Sequence, residues 1–274
     1  MTAKFLRIHA AVLACTLALT WGAGISRAAV QPSPSAPAKD KDKDKGKKVN
    51  KAELNAYNAI VAAQNGDPAA QIKLAEDFAA KYPDSEYIKG VYGLLTNAYY
   101  ATGNIQKMLD MSAKTLAADP DNADVLALTA MVISRRAHAT TPDGAAQLAK
   151  AEGYAHHAIE VIPNMQKPNP SMDDAAFEKA KNDKLAIAHS ALGLIDYDNK
   201  KYEDARTELM QAVQLASAPD PVDYYMLGNA DQAASYYHDA VVAFQKCSDT
   251  GPLTAQCKAN MATAQHDAET KMGR

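Results

Sequence analysis

Two stretches of this 274-residue chain share one spacing of a Leu-Gly pair, an aromatic residue, an alanine and a bulky residue. The later stretch has them at Leu227, Gly228, Tyr237, Ala240 and Phe244, and the earlier one at Leu192, Gly193, Tyr202, Ala205 and Leu209. Apolar residues recur with helical spacing from residue 51 onward, and Pro and Gly interrupt them at intervals, which indicates paired helices. One pair of helices cannot bury its apolar stripe, so the repeated pairs must stack.

This spacing resembles the tetratricopeptide repeat, a 34-residue helix-turn-helix unit with a Leu-Gly pair, a small residue followed by an aromatic, and a closing proline. Looser units precede the two clear ones: one ends at residues 78–85, one runs from Tyr92 to Pro120, and one runs from Ala123 to Pro163. The resemblance implies an all-α fold over residues 51–274. We expect a right-handed α-solenoid of about five helix pairs.

The connecting segments refine this expectation. Pro68 suits the first turn of a second helix. Ser171 with Asp174 resembles an N-cap and its acidic partner, so the next helix should begin there and run long, to about Asp198. Residues 253–271 form one polar-faced segment that predicts a C-terminal capping helix, which an open solenoid end requires.

The first 28 residues have the layout of a secretory signal peptide. Two basic residues precede an apolar run, and the small residues around Ala28 suit cleavage. The run from Ala10 to Ile25 is shorter than the roughly 20 residues of a membrane span. We therefore expect an exported protein with no transmembrane span in its mature form, in the periplasm or cell envelope of a bacterium. An uncleaved anchor is the alternative, and Cys15 lacks the surroundings of a lipidation site.

Residues 29–50 contain three prolines and then alternating Lys and Asp, which predicts a disordered linker. From Val49 onward the chain has 20 basic and 29 acidic residues. Because this region has a net negative charge, it does not attract the phosphate backbone of a nucleic acid, and we expect no nucleic-acid partner.

Cys247 and Cys257 remain once the signal peptide, with Cys15, is removed. An even pair in an exported protein predicts a disulfide, and Gly251-Pro252 turns the chain between the two residues. Two buried free thiols are the alternative.

In tetratricopeptide proteins the outward residues of each first helix line a concave groove that holds extended peptides. By the register of the resemblance, the groove residues here are Asn97, Tyr100, Met131, Ser134, Arg135, Leu194, Tyr197, Asp198, Tyr225, Asn229 and Gln232. Tyrosines and amides suit peptide capture, although an ordinary half-polar surface has the same composition. Gly93 and Ile187 stand where the members that grip a C-terminal carboxylate have Lys, which disfavours that ligand.

The sequence offers little support for catalysis. Glu152, His156 and Glu160 share a helix face and have a spacing that suits a metal, but a solvated helix face explains them equally well. His189 stands where the repeat usually has an aromatic residue, which favours packing. No phosphate loop, dinucleotide fingerprint or nucleophile elbow is present. We expect no enzyme activity, no cofactor and no metal.

The hypothesis from sequence is a non-catalytic, exported scaffold that binds another protein or a peptide in the groove. The ending of the first unit, residues 78–85, is similar to repeats in barrel-assembly and other envelope lipoproteins of Gram-negative bacteria. The alternative is a periplasmic binder of small molecules or polysaccharide, because tyrosine-lined grooves also serve such ligands.

Overall fold

The computed structural model describes residues 50–249, 251–271 and 273, and in this part of the chain it shows eleven α-helices and no strand. The helices are α1 (Lys51–Ala62), α2 (Pro68–Lys81), α3 (Ile88–Ala101), α4 (Ile105–Ala118), α5 (Ala123–Ser134), α6 (Gly144–Val161), α7 (Asp174–Asp198), α8 (Tyr202–Leu215), α9 (Pro221–Ala233), α10 (Tyr237–Ser248) and α11 (Thr254–Thr270). The predicted signal peptide, 1–28, and linker, 29–50, lie outside the described residues except for Asn50.

Successive helices pack as pairs, which we number as units one (α1–α2) to five (α9–α10). The second helix of each unit also packs against the first helix of the next unit, and α11 packs against α10. The predicted solenoid of five helix pairs with a capping helix is therefore confirmed. None of the helices in the described ranges combines the length and the apolar character that a bilayer crossing needs.

Asn and Asp residues set where many of these helices begin. Their side-chain oxygens accept a hydrogen bond from a backbone N–H of the first turn, which satisfies a donor that the helix itself leaves unpaired. The capping residues of this kind are Asn50, Asp67, Asn104, Asn122, Asp173 and Asp220. The expectation for Ser171 was wrong: Asp173 accepts from the Ala176 amide at 2.9 Å and caps α7, which then runs to Asp198 as predicted.

Close approach of the two helices within a unit depends on glycine facing a bulky residue. A Cβ at Gly193 would lie 2.5 Å from Leu209 Cγ, and one at Gly228 would lie 2.7 Å from Phe244 Cδ1. Leu209 and Phe244 are fully buried. Since buried interiors are close-packed, these glycines fix how near α7 lies to α8 and α9 to α10.

Unit two differs from this arrangement. At the two equivalent positions it has Thr96 on the first helix and Ser112 on the second, both buried. Each hydroxyl donates to a carbonyl of its own helix, Thr96 to Tyr92 and Ser112 to Met108, so neither buried polar group is left unpaired.

The turn inside three of the units contains a residue with positive φ at the same repeat position. Gly103 has φ 72°, Lys200 has 64° and Ser235 has 70°. The next residue closes the helix end, as when the Lys201 amide donates to the Asp196 carbonyl at 2.8 Å. This is the glycine-type helix ending, and Lys200 adopts it although it has a Cβ.

We expect Lys200→Gly to raise the free energy of unfolding by about 0.5–1 kcal/mol, because glycine has no steric penalty at positive φ and the Lys200 side chain is exposed. Urea denaturation measures the change. The matched control is Gly103→Ala, which should lower the free energy of unfolding by a similar amount. A destabilising Lys200→Gly would show that the turn is not strained.

Cys247 and Cys257 lie at disulfide distance, with Cα atoms 5.9 Å apart and both side chains fully buried. The pair connects the end of α10 to the first turns of α11. Helix α11 buries few apolar groups: Cys257 and Ala264 are its buried apolar residues, and Asp267 is a buried polar one. A bridge at this point would therefore hold a helix that burial alone holds weakly.

We predict that the two cysteines form a disulfide in the exported protein. The loop-entropy model gives a stabilisation of about 2.8 kcal/mol for a closure of this length. Thiol titration of the denatured, unreduced protein should find no free thiol, and reduction should make α11 the first helix that a protease cleaves. Two free thiols would refute the bridge.

Candidate functional site

The predicted groove residues differ widely in how much solvent they meet. On α3 the Tyr100 side chain is 39% exposed and Asn97 is half-buried. Met131, Ser134 and Leu194 are buried at 8%, 8% and 9% exposure. The first helices thus leave a polar and aromatic surface at α3, while the middle of the predicted groove floor is mostly covered.

Tyr197 lies between units four and five as part of a tyrosine cluster. Burial, with Tyr202 and Tyr225 nearby, raises the pKa of Tyr197 to about 12. The rings of Tyr197 and Tyr202 are 5.5 Å apart between centroids and tilted. Tyr197 is therefore a neutral, half-buried residue, and its hydroxyl stays protonated at any physiological pH.

Arg135 is engaged within the chain. Its Nη2 lies 2.8 Å from Asp220 Oδ2 and 3.9 Å from Asp223 Oδ1, and 29% of the side chain is exposed. Burial opposes the charge of Arg135, but the two carboxylates, with Tyr100 also nearby, raise the pKa of Arg135 above its ordinary value. The guanidinium remains charged and joins the end of α5 to the beginning of α9.

The sequence-based prediction missed three residues on this face: Ser190, Asp220 and Asp223. Ser190 Oγ donates to Asp223 Oδ1 at 2.6 Å, and Asp223 is 5% exposed. Asp220 before Pro221 is a recognisable N-cap signal, confirmed by its bond from the Val222 amide at 2.9 Å. Nothing in the local pattern indicates that the same aspartate binds an arginine 85 residues earlier.

Asp198 also bonds within the chain. Its carboxylate accepts from the Ala139 amide at 2.6 Å and lies 3.4 Å from His138 Nδ1. The end of α7 is thereby attached to the segment that follows α5.

Two of the three predicted groove residues of α9 bond to the capping helix. Asn229 Oδ1 accepts from Asn260 at 3.1 Å, and Gln232 donates to Asp267 Oδ2 at 3.1 Å. Tyr225 packs against Phe244, with ring centroids 6.1 Å apart. The polar groups of Asn229 and Gln232 are thus already paired in this structure, and their role in binding stays a prediction.

The histidine-containing clusters have partners of their own. His157 Nε2 lies 2.8 Å from Asp121 Oδ1 and His157 Nδ1 lies 3.6 Å from Glu160 Oε2, while His189 Nδ1 lies 2.6 Å from Glu208 Oε2. Among the described residues no group of three or more His, Cys, Asp or Glu side chains is arranged to hold a metal ion.

A separate cleft of about 560 Å³ opens between the second helices α4 and α6. Small residues, Ala113, Ala117 and Gly153, leave the space, and a Cβ at Gly153 would meet no atom within 4 Å. Tyr154 lines the cleft, and Lys150 lies 5.6 Å from the centre of its ring. The cleft combines apolar walls with one cation.

We predict that Asp223 makes the protein less stable as the pH rises from about 4 to 7. Burial raises the pKa of Asp223 to about 6 from 3.8, although the Ser190 bond and Arg135 oppose the shift. The folded state therefore binds the proton more tightly than the unfolded state, and the stability that protonation contributes is lost as the pH passes about 6. In Asp223→Asn, the free energy of unfolding relative to the parent should rise over this range by up to about 3 kcal/mol.

The control for this prediction is Asp183→Asn. Burial raises the pKa of Asp183, but bonds from Ser217 and Lys179 outweigh it and hold the pKa below 3.8. The stability that ionised Asp183 contributes is lost as the pH falls, so relative to the parent this variant should become less stable as the pH rises. A difference for Asp223→Asn that does not change with pH would contradict the prediction.

Comparison with known proteins gives similarity at the level of the fold. No family model matches the chain, and no curated protein matches it. The solved structure of PilW, a widely conserved type IV pilus biogenesis factor, is 14% identical over 80% of this chain and 92% of that chain, with a TM-score of 0.52.

Two further structures match at lower TM-scores. A thermophilic TPR protein of Thermus thermophilus is 18% identical over 78% of this chain and 98% of that chain, with a TM-score of 0.47. A tetratricopeptide repeat protein of Parabacteroides merdae is 12% identical over 77% and 99% of the two chains, with a TM-score of 0.33. The chain has the tetratricopeptide-repeat fold.

Proposed function

We propose that this protein is a non-catalytic scaffold of the bacterial cell envelope that binds another protein or an extended peptide on the face formed by its first helices. The observation that supports this most is the surface of α3. Tyr100 is 39% exposed there, beside half-buried Asn97, on a helix whose other side is buried in the core. Tyrosine provides contact area at low entropic cost, and an amide pairs with peptide backbone.

The partner contacts would begin at Asn97 and Tyr100 and continue toward Tyr197. Arg135 lies between these positions and donates a hydrogen bond to Asp220. Five donors are available on a guanidinium, so Arg135 retains capacity to bind a carbonyl or carboxylate of the partner. A bound peptide would thus meet tyrosine at both ends and a cation between them.

The envelope location is supported by the sequence of the N-terminal 28 residues and by the Cys247–Cys257 pair. A disulfide persists in the periplasm and not in a reducing cytoplasm. PilW, which has the same fold, is a pilus biogenesis factor, and an assembly role in the envelope is compatible with a scaffold of this kind.

A second candidate function, binding of a small molecule or polysaccharide, is favoured by the cleft between α4 and α6. The cleft is open to solvent, and Tyr154 with Lys150 provides a ring and a cation there. A thermal-shift screen with sugars and cell-wall fragments, on the parent and on Tyr154→Ala, distinguishes this function from peptide binding.

We expect the variant Asn97→Ala with Tyr100→Ala to bind its envelope partner roughly tenfold more weakly, as for loss of a central aromatic contact. The measurement has two steps: capture from envelope extract with residues 29–274 as bait, then titration of the captured protein. The matched control is Val242→Ala, which truncates a side chain 59% exposed on α10, a second helix. Equal affinities for the parent and the α3 variant would refute this site.

A further inference from the structure

Arg135 connects two units that are not neighbours. It follows α5 of unit three, and its ion pair with Asp220 reaches the N-terminus of α9 in unit five. In a solenoid each unit contacts only the units on either side of it, so stability is close to a sum of neighbour terms. A bond between units three and five requires the stack to curve enough for them to meet across unit four.

The contact passes over α7 of unit four. Asp223, the second carboxylate near Arg135, accepts a hydrogen bond from Ser190 at 2.6 Å, and Ser190 belongs to α7. Asp223 is 5% exposed, so this part of the contact is shielded from solvent. Charges that are partly buried are screened less by salt than exposed ones.

Asp220 uses its two oxygens for two purposes. Oδ1 accepts from the Val222 amide at 2.9 Å and caps α9, while Oδ2 lies 2.8 Å from Arg135 Nη2. The position of Arg135 is therefore coupled to the first turn of α9. On the other side, the Ala139 amide bonds Asp198 of α7, so the segment after α5 is fixed to both following units.

We infer that three residues hold units three to five in a curved state and narrow the face of the first helices. They are Arg135, Asp220 and Asp223, here named the Arg135 clasp. Release of the clasp lets unit five move away from unit three and widens that face. The effect on partner access rests on the proposed function, whereas the effect on curvature does not.

The chain contains a matched arginine that joins only neighbouring units. Arg206 of α8 lies 2.7 Å from Asp231 and 2.7 Å from Asp239, and 4.3 Å from the ring centre of Tyr236. It has two carboxylate partners and a side-chain exposure of 22%, close to the 29% of Arg135. Loss of its charge removes a comparable ion pair but leaves the contact between units three and five intact.

Small-angle scattering of the disulfide-intact protein, residues 29–274, tests the curvature. Arg135→Gln should increase the radius of gyration and the maximum dimension with unchanged helicity, and Arg206→Gln should not. Arg135→Lys should stay near the parent, because it keeps the charge. Amide exchange in the first turn of α9 should become roughly tenfold faster in Arg135→Gln. Scattering and exchange identical to the parent would overturn the clasp.

If Arg135→Gln fails to fold, Asp220→Asn provides the same test, since asparagine keeps the N-cap of α9 while the negative charge is lost. This variant also tests partner access, with Asp239→Asn as its control. Asp220→Asn should bind the captured partner more tightly than the parent does. A larger radius of gyration with unchanged affinity for the partner would confirm that the Arg135 clasp sets the curvature and refute its control of partner access. An unchanged radius of gyration would refute the clasp whether or not a partner binds.

Discussion

The stack depends on how closely two helices of one unit can approach. Gly193 faces Leu209 and Gly228 faces Phe244 with no room for a Cβ, so the backbone of one helix lies directly under a bulky side chain of the other. That contact fixes the angle of the helix pairs in units four and five, and each pair presents the surface on which its neighbour packs. The first helices come to line one face as a consequence of this geometry.

The helices and their order follow from local patterns, and the sequence predicted them well. Leu-Gly spacing, Pro68 and the length of α7 up to Asp198 depend on residues within one or two turns of each other. The cap of α7 was wrong by two residues, because Ser171 and Asp173 are both good caps and the choice between them depends on how the preceding loop packs.

The candidate site was less predictable for a physical reason. Register predicts which face of a helix a residue lies on. Tyr100 is exposed and Asn97 is half-buried, and their place in a binding groove stays a prediction. Register does not predict the curvature of the stack or the position of α11. The curvature decides whether Arg135 meets Asp220, and the position of α11 decides whether Gln232 meets Asp267. Those contacts join residues far apart in sequence, and no spacing rule relates them.

The Cys247–Cys257 pair gives the molecule two unlike ends. Cys257 lies in α11, whereas α1 at the opposite end contains no cysteine, and its first residue follows Asn50. An array of units opens from its ends inward, because a terminal unit has one neighbour and an inner unit has two. With a disulfide at the C-terminal end, local unfolding would start at unit one and proceed toward the C-terminus, so the units of this protein would unfold in a fixed order.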